Sequence, residues 1–234
     1  MSADSISSSG KRRFRPSWLL TLAAVLLMLL TARLAVWQFD RAEQKAALEQ
    51  TARDSLRAAP LPLYADSVLG PYQRAAATGE YLPERQILID NKVHHKIPGV
   101  HVITPLMLKD GGAIAVNRGW ARKDADIPPP PRGQLTVHGV LQKDNADAFV
   151  LSAQTEQDGV WQNLDLPKYA AAANLPLVSL VLLAEDNAGG LPPATVRVNF
   201  KSQQSIGYAW QWLTFCFLTL VFYIILGMRR GARD

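Results

Sequence analysis

Two long apolar stretches stand near the ends of the chain, and short alternating stretches fill the space between them. The later one, 206–228, reads IGYAWQWLTFCFLTLVFYIILGM and carries no charged residue. At about 1.5 Å per residue it is long enough to cross the hydrocarbon of a bilayer. Tyr208, Trp210 and Trp212 stand at its start and Tyr223 near its other end, as aromatic belts do at the two membrane interfaces. The earlier stretch, 18–32, follows Lys11, Arg12, Arg13 and Arg15. Its small-x-small cleavage pattern is poor, so it reads as an uncleaved anchor and not as a signal peptide. Cations before the first span, and Arg229 and Arg230 after the second, put both chain ends on the cytoplasmic side. Everything between the spans is then external.

The first run does not stop cleanly. Arg33 interrupts it, 34–39 stays apolar, and 40–49 is made of strong helix formers without Gly or Pro. One helix is predicted from the membrane out to about Ala58, where Pro60 and Pro62 end it. Trp37, Arg41 and Lys45 follow at i, i+4 and i+8 and are expected to share a face. That stripe reads as a belt with snorkelling cations, or as a docking or ligand-facing surface.

From Arg74 the period changes to that of strands. A short strand over 86–91 is predicted to end in a turn. A hairpin joins 99–108 to 113–117 through Lys109-Asp110-Gly111-Gly112. Four consecutive prolines within 126–132 impose an extended loop. Residues 134–141 alternate again, 166–173 form a short Ala-rich helix, and 177–184 reads as a central strand covered on both faces. The reading divides the chain into a basic tail (1–16), a first transmembrane helix (17–39), a juxtamembrane helix (40–59), an external β-rich domain (60–203), a second transmembrane helix (206–228) and a basic tail (229–234). The class is α+β: two transmembrane helices, N-in and C-in, flank a β-rich, mostly antiparallel external domain.

The net charge of +5 does not describe that domain. Residues 40–203 hold 17 Lys and Arg against 18 Asp and Glu, so the excess sits in the tails and at Arg33. This is the positive-inside signal and not a nucleic-acid footprint. The one cysteine, Cys216, lies in the second span, which excludes a disulfide or thiolate metal site outside. His94 and His95 are adjacent, so on a strand their rings would point to opposite faces and could not chelate one ion. No hydrolase, zinc or phosphate-loop motif occurs, and no catalytic residue is marked. Asn117-Arg118-Gly119-Trp120 is the most unusual short string. It reads as the closing end of a strand, with Trp120 capping the core and Arg118 paired to an acid, or else as a recognition surface.

Several strings together resemble the Surfeit-locus protein-one family. Trp37-Gln38 with Arg41 and Lys45 is similar to its W-Q-x-x-R-x-x-x-K. Thr78-Gly79-Glu80-Tyr81 resembles its G-x-[YF]. Gly99 to Leu106, GVHVITPL, resembles its G-x-x-V-x-T-P-L. Val116-Asn117-Arg118-Gly119-Trp120 resembles V-N-R-G-W, and Tyr208-Ala209-Trp210-Gln211-Trp212 resembles Y-A-x-x-W. Five motifs in order on a two-span hairpin cover the chain from about Leu20 to Arg230.

The resemblance implies a non-enzymatic cytochrome c oxidase assembly factor in a bacterial inner membrane, multi-pass, with a periplasmic central domain. Its partners would be the oxidase's large catalytic subunit, other assembly factors and the lipid bilayer, with no nucleic acid. The resemblance further implies transient contact with haem A, with no permanent cofactor and no metal site. Trp37, Arg41, Lys45, Tyr208 and Trp212 are the implied haem contacts, the two cations meeting propionates and the two tryptophans flanking the macrocycle. Gln38, Arg118 and Trp120 are the implied partner contacts. Family members usually carry a histidine three residues before Y-A-x-x-W; here Ser205 stands there, and serine is a poor haem-iron ligand. The alternative reading is a structural hairpin that clamps an oxidase assembly intermediate without binding haem.

Overall fold

A computed structural model describes residues 14, 16–144, 156, 157, 159–185, 191–194, 196, 198 and 200–230. The expected cationic tails, including Lys11, Arg12, Arg13 and Arg15, lie outside the described residues, as do the side chains of Arg229 and Arg230. The chain forms two compact units. One holds residues up to 49 and from 199 onward, and the other holds 50–198.

The first unit is a helix pair. Helix α1 runs unbroken over Trp18–Arg57, as its Ala- and Leu-rich sequence without Gly or Pro requires. The C-terminal helix spans Ser202–Arg230. Both are long and apolar enough to cross a membrane by length and composition. A seam of covered side chains runs along α1 at Ala24, Met28, Thr31, Ala35, Gln38, Ala42, Lys45 and Glu49. Its steps alternate between four and three residues. The C-terminal helix answers with Ser202, Ser205, Ala209, Trp212, Cys216, Thr219 and Tyr223 in the same alternation. A repeat of 3.5 residues keeps one face of each helix on the other along their length. The helices run antiparallel, since Thr21 Oγ1 lies 3.0 Å from Tyr223 Oη at one end and Lys45 meets Ser205 at the other. Small residues dominate the seam, as at other helix interfaces in membranes. Thr31 is buried yet satisfied, because its hydroxyl donates back to the carbonyls of Leu27 and Met28. The large apolar side chains, among them Leu22, Leu26, Phe217 and Phe222, point outward and are exposed.

The second unit is built on strands β1 (Leu61–Leu63), β2 (Arg74–Tyr81), β3 (Ile87–His94), β4 (Ile97–Leu108), β5 (Ala113–Arg122), β6 (Leu135–Gln142), β7 (Glu156–Gln157), β8 (Val160–Trp161) and β9 (Leu177–Ala184). Helix α2 (Leu166–Ala173) precedes β9, and the C-terminal helix becomes α3. Strands β2, β6, β9, β5 and β4 pair in that order. The second half of β4 then pairs with β2, Gly79 to Tyr81 against Leu106 to Leu108, so five strands close into a barrel. Gly79 is needed at this closure, because a Cβ there would strike the Met107 carbonyl. Among the described residues six of the nine strand pairings are antiparallel, and β1–β2, β3–β8 and β5–β9 are parallel.

One core fills the barrel, with Ala75, Ala77, Leu106, Ile114, Val116, Leu141, Leu182 and Ala184 facing in. A second lies on the outer face beneath α2, where Ile87, Ile89, Ile103, Ala115, Val181 and Leu183 meet Trp161, Leu164, Leu166 and Tyr169. The last four residues of β9 alternate between the two cores, which is why that segment reads as a continuous apolar run. Helix α2 is well bounded. Asp165 accepts from the Lys168 N–H at 3.0 Å as N-cap, and Asn174 takes the left-handed conformation at the C-cap. Tyr169 is buried, and its hydroxyl donates to the Arg85 carbonyl at 2.6 Å.

Three expectations are corrected. Strand β3 does not stop at Asn91; it passes through an irregularity between Ile89 and Lys92, with Asn91 at φ 59°, and ends at His94. Strand β5 does not close at Asn117 but continues to Arg122, so the Asn117–Trp120 string is mid-strand. His94 and His95 do not point apart, because His95 and Lys96 form the turn of the β3–β4 hairpin, both at positive φ. The two rings lie edge to face with centroids 4.3 Å apart.

Candidate functional site

In the helix pair, the Lys45 ammonium donates to Ser205 Oγ at 2.9 Å. Ser205 is buried and Lys45 half-buried, so this cation faces the seam. One turn further out Ser202 Oγ donates to Glu49 Oε2 at 3.4 Å. Trp37 and Arg41 are exposed and paired with each other, the guanidinium 5.8 Å from the indole centroid. The expected shared face of Trp37, Arg41 and Lys45 is therefore split. Each step of four residues turns the helix by a further ~40°, so Lys45 lies about 80° round from Trp37. Gln38 lies half-buried on the seam and Trp212 half-buried on the facing one, edge-on to Phe215. Tyr208 is exposed and off the seam. Phe39 meets Trp210 edge to face at 6.1 Å.

In the β unit, Arg118 is fully buried. It is the extra residue of a bulge, since Val102 pairs with Gly119 and Ile103 with Asn117, leaving Arg118 without a partner on β4. Gly119, at φ 130°, supplies the backbone that this bulge needs. The guanidinium donates to Gln86 Oε1 at 3.1 Å and to the Pro128 carbonyl at 2.9 Å, and lies 6.0 Å from the Tyr81 ring centroid. Gln86 Oε1 also accepts from Thr104 Oγ1 at 3.0 Å. Arg118 thus ties the proline loop and the start of β3 to the barrel. Burial depresses its pKa, and its partners are neutral instead of the expected acid. Trp120 is also buried, donating through Nε1 to the Lys92 carbonyl at 3.0 Å with its ring against His94. Arg118 and Trp120, the two expected partner contacts of the β domain, are thus both buried, with hydrogen bonds made inside the domain.

Sequence reading missed Gln86 as the partner of Arg118 and Thr104, and missed the pairing of His101 with Asn117. Asn117 Oδ1 accepts from the Gly119 N–H at 3.0 Å, and its Nδ2 lies 3.1 Å from His101 Nδ1. Burial, with help from nearby Lys92 and His94, pushes the His101 pKa down to about 4. The only available signal was that His101 and Asn117 each stand inside a family-like string. The coupling of Lys45 to Ser205 was also missed, although the small residues spaced along both apolar runs carried the seam. Among the described residues no cluster of three or more His, Cys, Asp or Glu is arranged to hold a metal.

Two helices long and apolar enough to cross a membrane, and a closed β-rich domain in the same chain, define a class of membrane-associated protein. A model of the SURF1 family matches residues 25–217, and the chain belongs to that family. It is 27% identical to a SURF1-like protein of Monosiga brevicollis, over 99% of this chain and 95% of the relative. It is 28% identical to an uncharacterised SURF1-like protein of Mycobacterium bovis, over 86% and 80%. A SURF1-like protein of Rickettsia conorii is 23% identical, over 86% and 88%.

Proposed function

We propose that this protein is an assembly factor for cytochrome c oxidase, acting on the large catalytic subunit at the stage when haem A is supplied. Family membership over most of the chain carries this reading. The helix pair supports it physically. Its outer faces are apolar and exposed over two spans, so it can lie in the bilayer beside the helices of a membrane-embedded subunit. Trp37 and Arg41 form the polar-aromatic patch on its outside. With N-terminus and C-terminus inside, the β domain stands in the periplasm of a bacterial inner membrane.

The position at which the resemblance places an iron ligand does not fit iron ligation here. Ser205 is a poor ligand, and its oxygen is already engaged by a cation. No histidine stands in either span. The clamp reading is therefore favoured over one in which this chain ligates the iron: the protein holds the subunit, and any haem contact is limited to the macrocycle edge and its propionates at Trp37 and Arg41. A reduced-minus-oxidised spectrum of membranes from a strain lacking the gene tests the assembly role. The A-type signal should fall while the B- and C-type signals stay. Unchanged A-type signal in cells making that oxidase would refute it. Purified protein free of low-spin haem is the result expected of the clamp.

A further inference from the structure

The network around His101 borders a cavity on the outer face of the barrel, of about 160 Å³. Ile89, Ile103 and Leu183 form an apolar floor. Lys92, His101, Asn117, Gln142, Lys143 and Asp144 supply the polar groups. The protonation of the ring follows from the hydrogen bonds. Asn117 Oδ1 is taken by the Gly119 N–H, so the amide turns its Nδ2 toward His101. An amide nitrogen only donates, so His101 Nδ1 must be the acceptor. The proton of the neutral ring then sits on Nε2, which meets no protein partner among the described residues. His101 is held as a donor, and its one ligating lone pair is spent on Asn117, which disfavours a metal at this ring.

The charges point the same way. Lys92 is half-buried with no acid partner among the described residues, and burial depresses its pKa. Lys143 adds a second cation at the rim. Among the described residues of the lining Asp144 is the one carboxylate, and its Oδ2 already accepts from the Leu166 N–H at 3.0 Å at the start of α2. The walls therefore present a fixed N–H donor and an excess of positive charge above an apolar floor. A liquid water takes ~30 Å³, so the space suits an acid of roughly five or six heavy atoms.

We propose that this cavity binds a small organic acid, a carboxylate on a short apolar chain, with His101 Nε2–H and the Lys92 ammonium on the carboxylate and the chain on the floor. The Asn117–Gly119 bond is the device that fixes the donor. The site stands independently of the oxidase reading.

The test uses the full-length chain in a non-ionic detergent, labelled with ¹⁵N-histidine, with sodium butyrate as the probe and acetate and inorganic phosphate as comparators. The His101 resonances are those lost in His101→Gln. Wild type should show the Nε2–H tautomer and a saturable shift with butyrate, with acetate and phosphate weaker. Lys92→Met keeps the stem and removes the charge, and should weaken butyrate about tenfold, the loss of one charge-assisted hydrogen bond. If that variant does not fold, Lys143→Met carries the same test with a smaller loss. An Nδ1–H tautomer, no saturable shift, phosphate binding as tightly as butyrate, or unchanged affinity in the charge-removing variant that folds would each overturn the proposal.

Discussion

Lys45 donates to Ser205 across the two helices at 2.9 Å, and this one bond couples the two seams. It takes up one of the ammonium's three N–H donors and sets a cation against the serine oxygen. Because Ser205 is buried, removing its hydroxyl leaves a half-buried ammonium short of an acceptor. Ser205→Ala should cost about 1.5–3 kcal/mol, the range for hydrogen bonds to charged groups. Lys45→Met should cost less, and the double variant should lie close to Lys45→Met. Thermal unfolding in detergent measures the cycle. Strict additivity of the two changes would show that the bond contributes nothing.

The same geometry sets an expectation for ligation. Ser205→His combined with Lys45→Ala puts an imidazole into the seam with room vacated beside it. That variant should retain haem with a low-spin spectrum when expressed in a haem-replete host, and wild type should not. Equal haem in the two would mean that wild type binds the cofactor through another part of the chain.

Much of this architecture was legible because it follows local periods. Helix α1, the β4–β5 hairpin, α2 and β9 are each announced by their own residues. Barrel closure was not, since pairing Gly79 with Leu108 joins segments with no common signal beyond a glycine. Arg118 was misread because a cation in sequence suggests surface, and only the bulge turns it inward. His94 and His95 were misread because a turn without Gly or Asn looks like continued strand. The helix seam was hidden because Ala, Ser and Thr count as unremarkable within uniformly apolar runs.

Tyr169 gives an alkaline prediction. Its pKa is raised by burial above the ordinary value of about 10. The unfolded chain therefore loses this proton first as pH rises, and stability present below pH 10 is lost above it. Tyr169→Phe should lower stability at neutral pH by about 1 kcal/mol, through the lost bond to Arg85, and should flatten the alkaline fall. Chemical denaturation between pH 7 and about 11 measures both.

His101 gives the acid counterpart. Its folded pKa of about 4 lies below the unfolded value of 6.5, mainly through burial. The unfolded state takes up the proton first, so stability is full above about pH 6.5 and falls as pH drops toward about 4, by at most about 3 kcal/mol. In His101→Gln that part of the acid limb should disappear. Carboxylates also titrate at its lower end, so the difference between wild type and variant across pH 5–6.5 is the quantity to read.

The last prediction separates folding from function. Arg118 is fully buried and its guanidinium joins Gln86, the proline loop and the barrel, so Arg118→Leu should destabilise the domain. The Pro128 carbonyl loses its guanidinium donor, at about 1–3 kcal/mol where no water replaces it, while Gln86 Oε1 keeps the bond from Thr104. Cellular levels of the protein should drop, and mature oxidase should drop with them in proportion. Trp37 and Arg41 are exposed and touch mainly each other, so Trp37→Ala and Arg41→Ala remove little that the fold needs. If their patch meets the oxidase subunit, mature oxidase should fall while the protein's own level holds. Immunoblotting the protein beside the A-type haem signal, in the same membranes, reads both quantities at once. A fall in protein level for the Trp37 or Arg41 variants that matches the fall in oxidase would assign those residues to folding, and would leave the docking face to be sought elsewhere on the helix pair.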